Sequence, residues 1–163
     1  MAELASRTGV PVRKLRYVFD HRLLPGLAGP SSGHGVPRTF TDFEGFGIAL
    51  AAHLLDSGLT RKLVAGALDA AARALSHIRE YPLLRAFQAR AGTIEIGDGR
   101  YIRVQVSKCR GVGPALDTGW LSLADASPAR PERAFTVRVT VELSVLAKAV
   151  SETRAHAPDG VAG

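Results

Sequence analysis

Three cations crowd one short stretch of this chain, Val12-Arg13-Lys14-Leu15-Arg16-Tyr17-Val18-Phe19-Asp20. At helical spacing Val12, Leu15, Val18 and Phe19 supply the apolar residues of a buried side, and Arg13, Lys14 and Arg16 supply the charge of an exposed one. A helix about 10–12 Å wide carrying guanidinium and ammonium groups fits a major groove and can pair with backbone phosphates. Val12, Arg13 and Lys14, at the leading end, are the candidates for base edges, and Arg16 and Tyr17 are candidates for phosphate.

Other chemistry is poorly represented. No phosphate-cradling glycine loop, His-Glu-x-x-His or Cys-x-x-Cys occurs, and the histidines at 21, 34, 53, 77 and 156 lack metal-ligand spacing. Cys109 lies between Lys108 and Arg110, a setting that favours thiolate, but no base is placed beside it by the sequence. Neither an enzyme, a cofactor nor a metal site is expected. The single cysteine also excludes a disulfide framework and suits a reducing compartment.

Charge distribution sharpens the nucleic-acid reading. The 163 residues carry a formal net charge of +6. Residues 1–40 hold six Arg or Lys against Glu3 and Asp20, whereas residues 92–163 hold nine basic and eight acidic side chains. The positive field therefore belongs to the N-terminal segment, and its sign suits a polyanionic partner. No stretch approaches the ~20 apolar residues of a membrane span, and a cytoplasmic protein is expected.

The elements that must position the basic helix are legible. Ala2 to Arg7 is a short helical run, Gly9 permits the positive φ of a tight turn, and Pro11 suits the start of a second helix. Helix, glycine turn and helix make a helix-turn-helix. Thr41 with Asp42 and Glu44 opens a third helix whose Phe43, Phe46, Leu50, Leu54 and Leu55 face a core, and Gly58 ends it. Thr60 opens a fourth, with Leu63, Val64, Ala67, Leu68, Ala71, Leu75 and Ile78 on one side, which Pro82 halts.

Leu4-Ala5, Thr8-Gly9-Val10, Leu15-Arg16-Tyr17, Leu23-Leu24-Pro25, Arg38-Thr39-Phe40-Thr41 and Leu54-Leu55-Asp56-Ser57-Gly58-Leu59 together resemble the MerR-type winged helix-turn-helix family over residues 1–80. The resemblance implies that the second helix reads a groove, that Arg38 in the wing grips backbone with His34 as a further wing candidate, and that two further helices brace the wing. It also implies promoter distortion and RNA polymerase as a further partner. This chain departs from the pattern at Pro11, Val18, Arg22 and Phe40, and its wing stretch, residues 29–37, is glycine-rich. The first helix is either short or lacks its beginning. The long pairing helix of the family is replaced by a short segment around Leu83, Leu84 and Phe87.

From Thr93 the hydrophobic period changes to two. Ile94 and Ile96, then Ile102, Val104 and Val106, flank the turn signal Gly97-Asp98-Gly99 and predict a hairpin. Phe135 to Leu143 alternates again, Trp120 to Leu123 suggests a short strand, and Leu146 to Thr153 suggests a helix that could cover the sheet. Trp120 reads as an anchor of this region.

The expectation is an α+β chain: a winged helix-turn-helix over 1–80, a helical connector over 81–92, an antiparallel β module with a C-terminal helix over 93–155, and a flexible tail over 156–163. The expected function is sequence-specific DNA binding in transcriptional regulation, by a homodimer formed through the β module, which could also receive a signal. Two alternatives keep the scaffold. One is a protein-interaction adaptor that has lost DNA reading, and the other is an architectural recombination-directionality protein.

Overall fold

The computed structural model describes residues 1–21, 23, 40–73, 81–97, 101–123 and 138–151. Its helices are α1 (Ala2–Thr8), α2 (Val12–Asp20), α3 (Asp42–Asp56), α4 (Arg61–Ala72), α5 (Pro82–Ala89) and α6 (Leu143–Ser151). Its strands are β1 (Thr93–Gly97), β2 (Tyr101–Val106), β3 (Leu116–Asp117), β4 (Leu121–Ser122) and β5 (Arg138–Glu142). The fold is α+β, with α1 to α5 preceding a small antiparallel sheet and α6 following it. None of the described helices is long and apolar enough to cross a membrane.

Helix α3 forms the centre because it is apolar nearly all round. Phe46, Ile48, Ala49, Leu50, Ala51 and Leu54 are all fully buried, a pattern that requires packing partners on every side. Helices α1, α2, α4, α5 and α6 supply them. Its start is fixed by a reciprocal cap: Glu44 N–H donates to Thr41 Oγ1 at 3.1 Å, and Thr41 N–H donates to Glu44 Oε2 at 2.8 Å. Thr41→Ala is expected to cost about 1 kcal/mol, read as a lower urea midpoint with an unchanged slope.

Phe43, Phe46 and Phe87 form an aromatic cluster, with centroids 5.3 Å apart for Phe46 and Phe87 and 5.6 Å for Phe43 and Phe87. Phe40 meets Phe19 edge-on at 5.6 Å. These rings pack as core. Pro82 is not what ends the fourth helix, which stops at Ala72. It is the first residue of α5, where its missing N–H has no intrahelical partner to lose. Helix α4 ends at Ala72, with Arg73 extended at ψ 144°, and Leu75 and Ile78 lie outside the described residues.

The sheet order is β3-β2-β1-β5, with β4 also paired to β2. Register sets Ile94 against Val104 and Val141, and Ile96 against Ile102 and Val139. Ile94, Ile96, Ile102, Val104 and Val106 are buried on the inner face, where α4 and α5 pack on β2. On the outer face Arg103 binds Asp117 with two nitrogens, Gln105 Nε2 donates to Asp117 at 3.1 Å, and Gly119 N–H donates to it at 2.9 Å. The Trp120 ring lies over Gly97.

The Arg103 hydrogen bond, helped by Gly119 N–H and Gln105, holds the Asp117 carboxyl well below the usual carboxylate range, against a smaller opposing effect of burial. A depressed folded-state pKa stabilises above the unfolded value near 4, and that contribution is lost as pH falls through the folded value. The pair is solvent-screened, so Asp117→Asn is expected to cost less than about 1 kcal/mol at neutral pH. The difference from wild type should vanish in urea titrations under strongly acidic conditions.

One boundary differs from the alternation in sequence. Leu143 continues the strand pattern but begins α6: its N–H donates to Gly92 O at 2.9 Å, and the Glu142 carboxylate accepts from Ser144 N–H at 3.2 Å. A capped helix start thus follows the strand with no loop between them. Helix α6 then buries Leu143, Leu146, Ala147 and Val150. It packs chiefly on α1, α3 and α5, and Arg7 Nη1 ties α1 to its last turn by donating to Val150 O at 3.0 Å.

Candidate nucleic-acid interface

The junction between α1 and α2 is built from local rules. Gly9 caps α1 at φ 69°, in the left-handed region, and its N–H donates to Ala5 O. Thr8 Oγ1 donates to Leu4 O at 2.7 Å and accepts from Val10 N–H at 3.4 Å. Pro11 stands one position earlier than expected, as the N-cap of α2, with its carbonyl accepting from Lys14 and Leu15 N–H. Val10, Leu15, Val18 and Leu23 are buried, which locks α2 against α3 and fixes which side faces out.

That outward side carries Arg13, Arg16, Tyr17 and Asp20, all exposed. At about 100° per residue these four positions fall within roughly 100° of arc, opposite Leu15 and Val18. Among the described residues neither Arg13 nor Arg16 makes a hydrogen bond or ion pair with protein. Lys14 lies at the flank, and its ammonium pairs with Asp56 at the end of α3 at 2.5 Å. Val12 is half-buried. The three residues assigned to base edges are therefore not equivalent: Arg13 projects, Val12 tucks in, and Lys14 must leave Asp56 to reach a base. His34 and Arg38, with the whole stretch expected to form the wing, lie outside the described residues.

The fold adds side chains that sequence reading missed. The Tyr17 and His21 rings meet edge-on with centroids 4.2 Å apart, and Arg61 Nη1 is 3.3 Å from His21 Nδ1. A guanidinium can only donate, so His21 Nδ1 carries the lone pair in this contact. Arg61 and Lys62 are exposed in the first turn of α4, and Arg61 is drawn against the end of α2. Two cations at a helix start oppose the helix dipole, which favours anions there. That breach of a local rule is the signal through which the pair could have been found.

Tyr17, His21 and Arg61 are thus joined on the side of α2 that also carries Arg13, Arg16 and Asp20, and exposed Lys62 follows Arg61 in α4. The sheet packs on α4 and α5, whereas α2 packs on α1 and α3. No group of three metal-ligating side chains occurs among the described residues. Cys109 closes a short turn through hydrogen bonds with Gly113.

Comparison of the chain with known protein families, with curated proteins and with solved structures finds no match.

Proposed function

We propose that this protein is a sequence-specific DNA-binding transcriptional regulator that sets α2 in the major groove of a duplex. The observation that carries the reading is the pair Arg13 and Arg16, exposed on a helix whose opposite side is fully buried and engaged with no protein acid among the described residues. Arg13 reads a base edge, and Arg16, Tyr17 and Arg61 hold phosphates on the flanks. His34 and Arg38 add contacts from the stretch between α2 and α3, in keeping with the MerR-type resemblance. RNA polymerase is a second partner on this reading, and the place of action is the cytoplasm.

Arg16→Ala is expected to weaken binding to all duplexes by a similar factor and to lower the slope of log K against log salt by about 1. Arg13→Ala should instead relax preference at one base pair, by about 1–3 kcal/mol of discrimination. Selection of bound duplexes from a random pool at two salt concentrations measures both effects. Equal affinity of wild type and both variants for every duplex rules the reading out, and leaves a protein-interaction role for the same scaffold.

A further inference from the structure

The ion pair between Lys14 and Asp56 is oriented against both of the helices that carry it. Lys14 is the third residue of α2, in a first turn that also holds Arg13 and no acid, and Asp56 is the last residue of α3. A helix start favours negative charge and a helix end favours positive charge. Each member therefore stands where its own helix disfavours it, and exchanging the two side chains would keep the pair while satisfying both dipoles. Folding alone would choose the opposite arrangement.

The pair does little as a fastening. Lys14 Nζ lies 2.5 Å from Asp56 Oδ1, but the two side chains are 38% and 42% exposed, and an ion pair so open to water contributes little to stability. Leu15 and Val18, both fully buried, already hold α2 on the core beside α3. Neither Lys14 nor Asp56 makes another side-chain hydrogen bond or ion pair among the described residues. The effect of the arrangement is electrostatic. Of the cations Arg13, Lys14 and Arg16 on α2, the first and last carry no acid and the middle one is neutralised by its neighbour on α3.

We infer that Asp56 is a specificity-determining residue of the α2 surface: it holds Lys14 back from phosphate, so that Lys14 turns to a duplex only where an acceptor on a base edge replaces the carboxylate. In this role Asp56 deepens the DNA-binding reading and rests on it. A cation free to neutralise phosphate strengthens binding to every sequence alike, which lowers discrimination. A cation that must first give up an acid adds affinity at the matching site and little elsewhere, and specificity is that difference. Lys14 lies in the leading turn of α2, the part of such a helix that meets base edges.

The experiment compares wild type, D56N and K14D/D56K on a preferred duplex from the random-pool selection and on a duplex of scrambled sequence, at several salt concentrations, with a thermal melt of each protein. D56N frees Lys14 and should bind the scrambled duplex about threefold to tenfold more tightly than wild type, with a salt slope steeper by up to about 0.9. Its gain on the preferred duplex should be smaller, so the ratio of the two affinities falls. K14D/D56K keeps the net charge and the pair but turns the pair round. It should melt at or above the wild-type temperature, yet bind the preferred duplex at least about tenfold more weakly, because a carboxylate now stands on the groove helix. Weaker binding of D56N to the scrambled duplex, or an unchanged ratio, overturns the inference and leaves the DNA reading standing. So does a reversed pair that melts well below wild type, since the dipoles would then not oppose the native arrangement, or one that binds as wild type does, since net charge alone would then matter. Wild type that binds no duplex at any salt ends the DNA reading and this role of Asp56 together.

Discussion

Gly92→Ala is expected to destabilise the protein by about 4 kcal/mol, a large part of the 5–15 kcal/mol that holds a domain folded. Gly92 stands at φ 137°, and a Cβ placed there would collide with Gln105 O and meet Val106 Cα at 3.4 Å. The first fact costs about 1–3 kcal/mol for any residue with a side chain. The second adds about 1–3 kcal/mol of overpacking, because the obstructing atom is strand backbone and cannot swing aside. Gly92 also accepts from Leu143 N–H at 2.9 Å, so a shift that relieves the clash must pull on the start of α6. Urea denaturation should show a much lower midpoint, and hydrogen exchange should show β1, β2 and α6 losing protection together. A cost below about 1 kcal/mol would mean that this junction can relax, contrary to the packing just described.

Features set by neighbours in sequence were readable from sequence. Thr41 and Thr60 mark helix starts because a cap is decided by the cap residue and its next three neighbours, and Gly9 marks a turn because its φ is positive. The alternation in Ile94, Ile96, Ile102, Val104 and Val106 reappears as one buried sheet face. Leu143 was ambiguous for a physical reason. One apolar residue two positions after another satisfies a strand, and the same residue can open the buried stripe of a helix. Nothing in the stripe Leu143, Leu146, Ala147 and Val150 states whether it faces a sheet or other helices, and it lies mainly against helices.

The candidate site divides along the same line. Exposure of Arg13, Arg16 and Tyr17 follows from the helical period once Leu15 and Val18 are buried. The Lys14 to Asp56 pair spans 42 residues and the Arg61 to His21 contact spans 40, so both depend on how α2, α3 and α4 are stacked. Periodicity within one helix cannot supply that stacking. The resemblance placed a binding role on Arg38, while the fold places Arg61 against His21, whose ring meets Tyr17, a contact that no motif in the chain announces.

The largest effect on binding is expected from the triple variant R13A/R16A/R61A, which should bind its preferred duplex at least about 100-fold more weakly than wild type at moderate salt. On the proposed reading Arg13 contributes a base contact of about 1–3 kcal/mol, and every tenfold in affinity corresponds to about 1.4 kcal/mol. If Arg16 and Arg61 each neutralise a phosphate, as proposed, their loss should reduce the salt slope by about 1.8 in total. The fold should be unaffected: Arg13 and Arg16 make no hydrogen bond or ion pair among the described residues, and Arg61 gives up its exposed hydrogen bond with His21. Replacement of exposed side chains of this kind stays within about 0.5 kcal/mol. K62A alone should leave base preference unchanged while lowering the slope by less than a full unit, because exposed Lys62 makes no hydrogen bond or ion pair with α2 among the described residues. Binding isotherms at several salt concentrations separate the two contributions, since base reading survives extrapolation to high salt and phosphate contacts do not. If the triple variant keeps its slope and loses only affinity, Arg16 and Arg61 do not touch phosphate. The surface centred on Tyr17 would then have to bind something other than a duplex backbone.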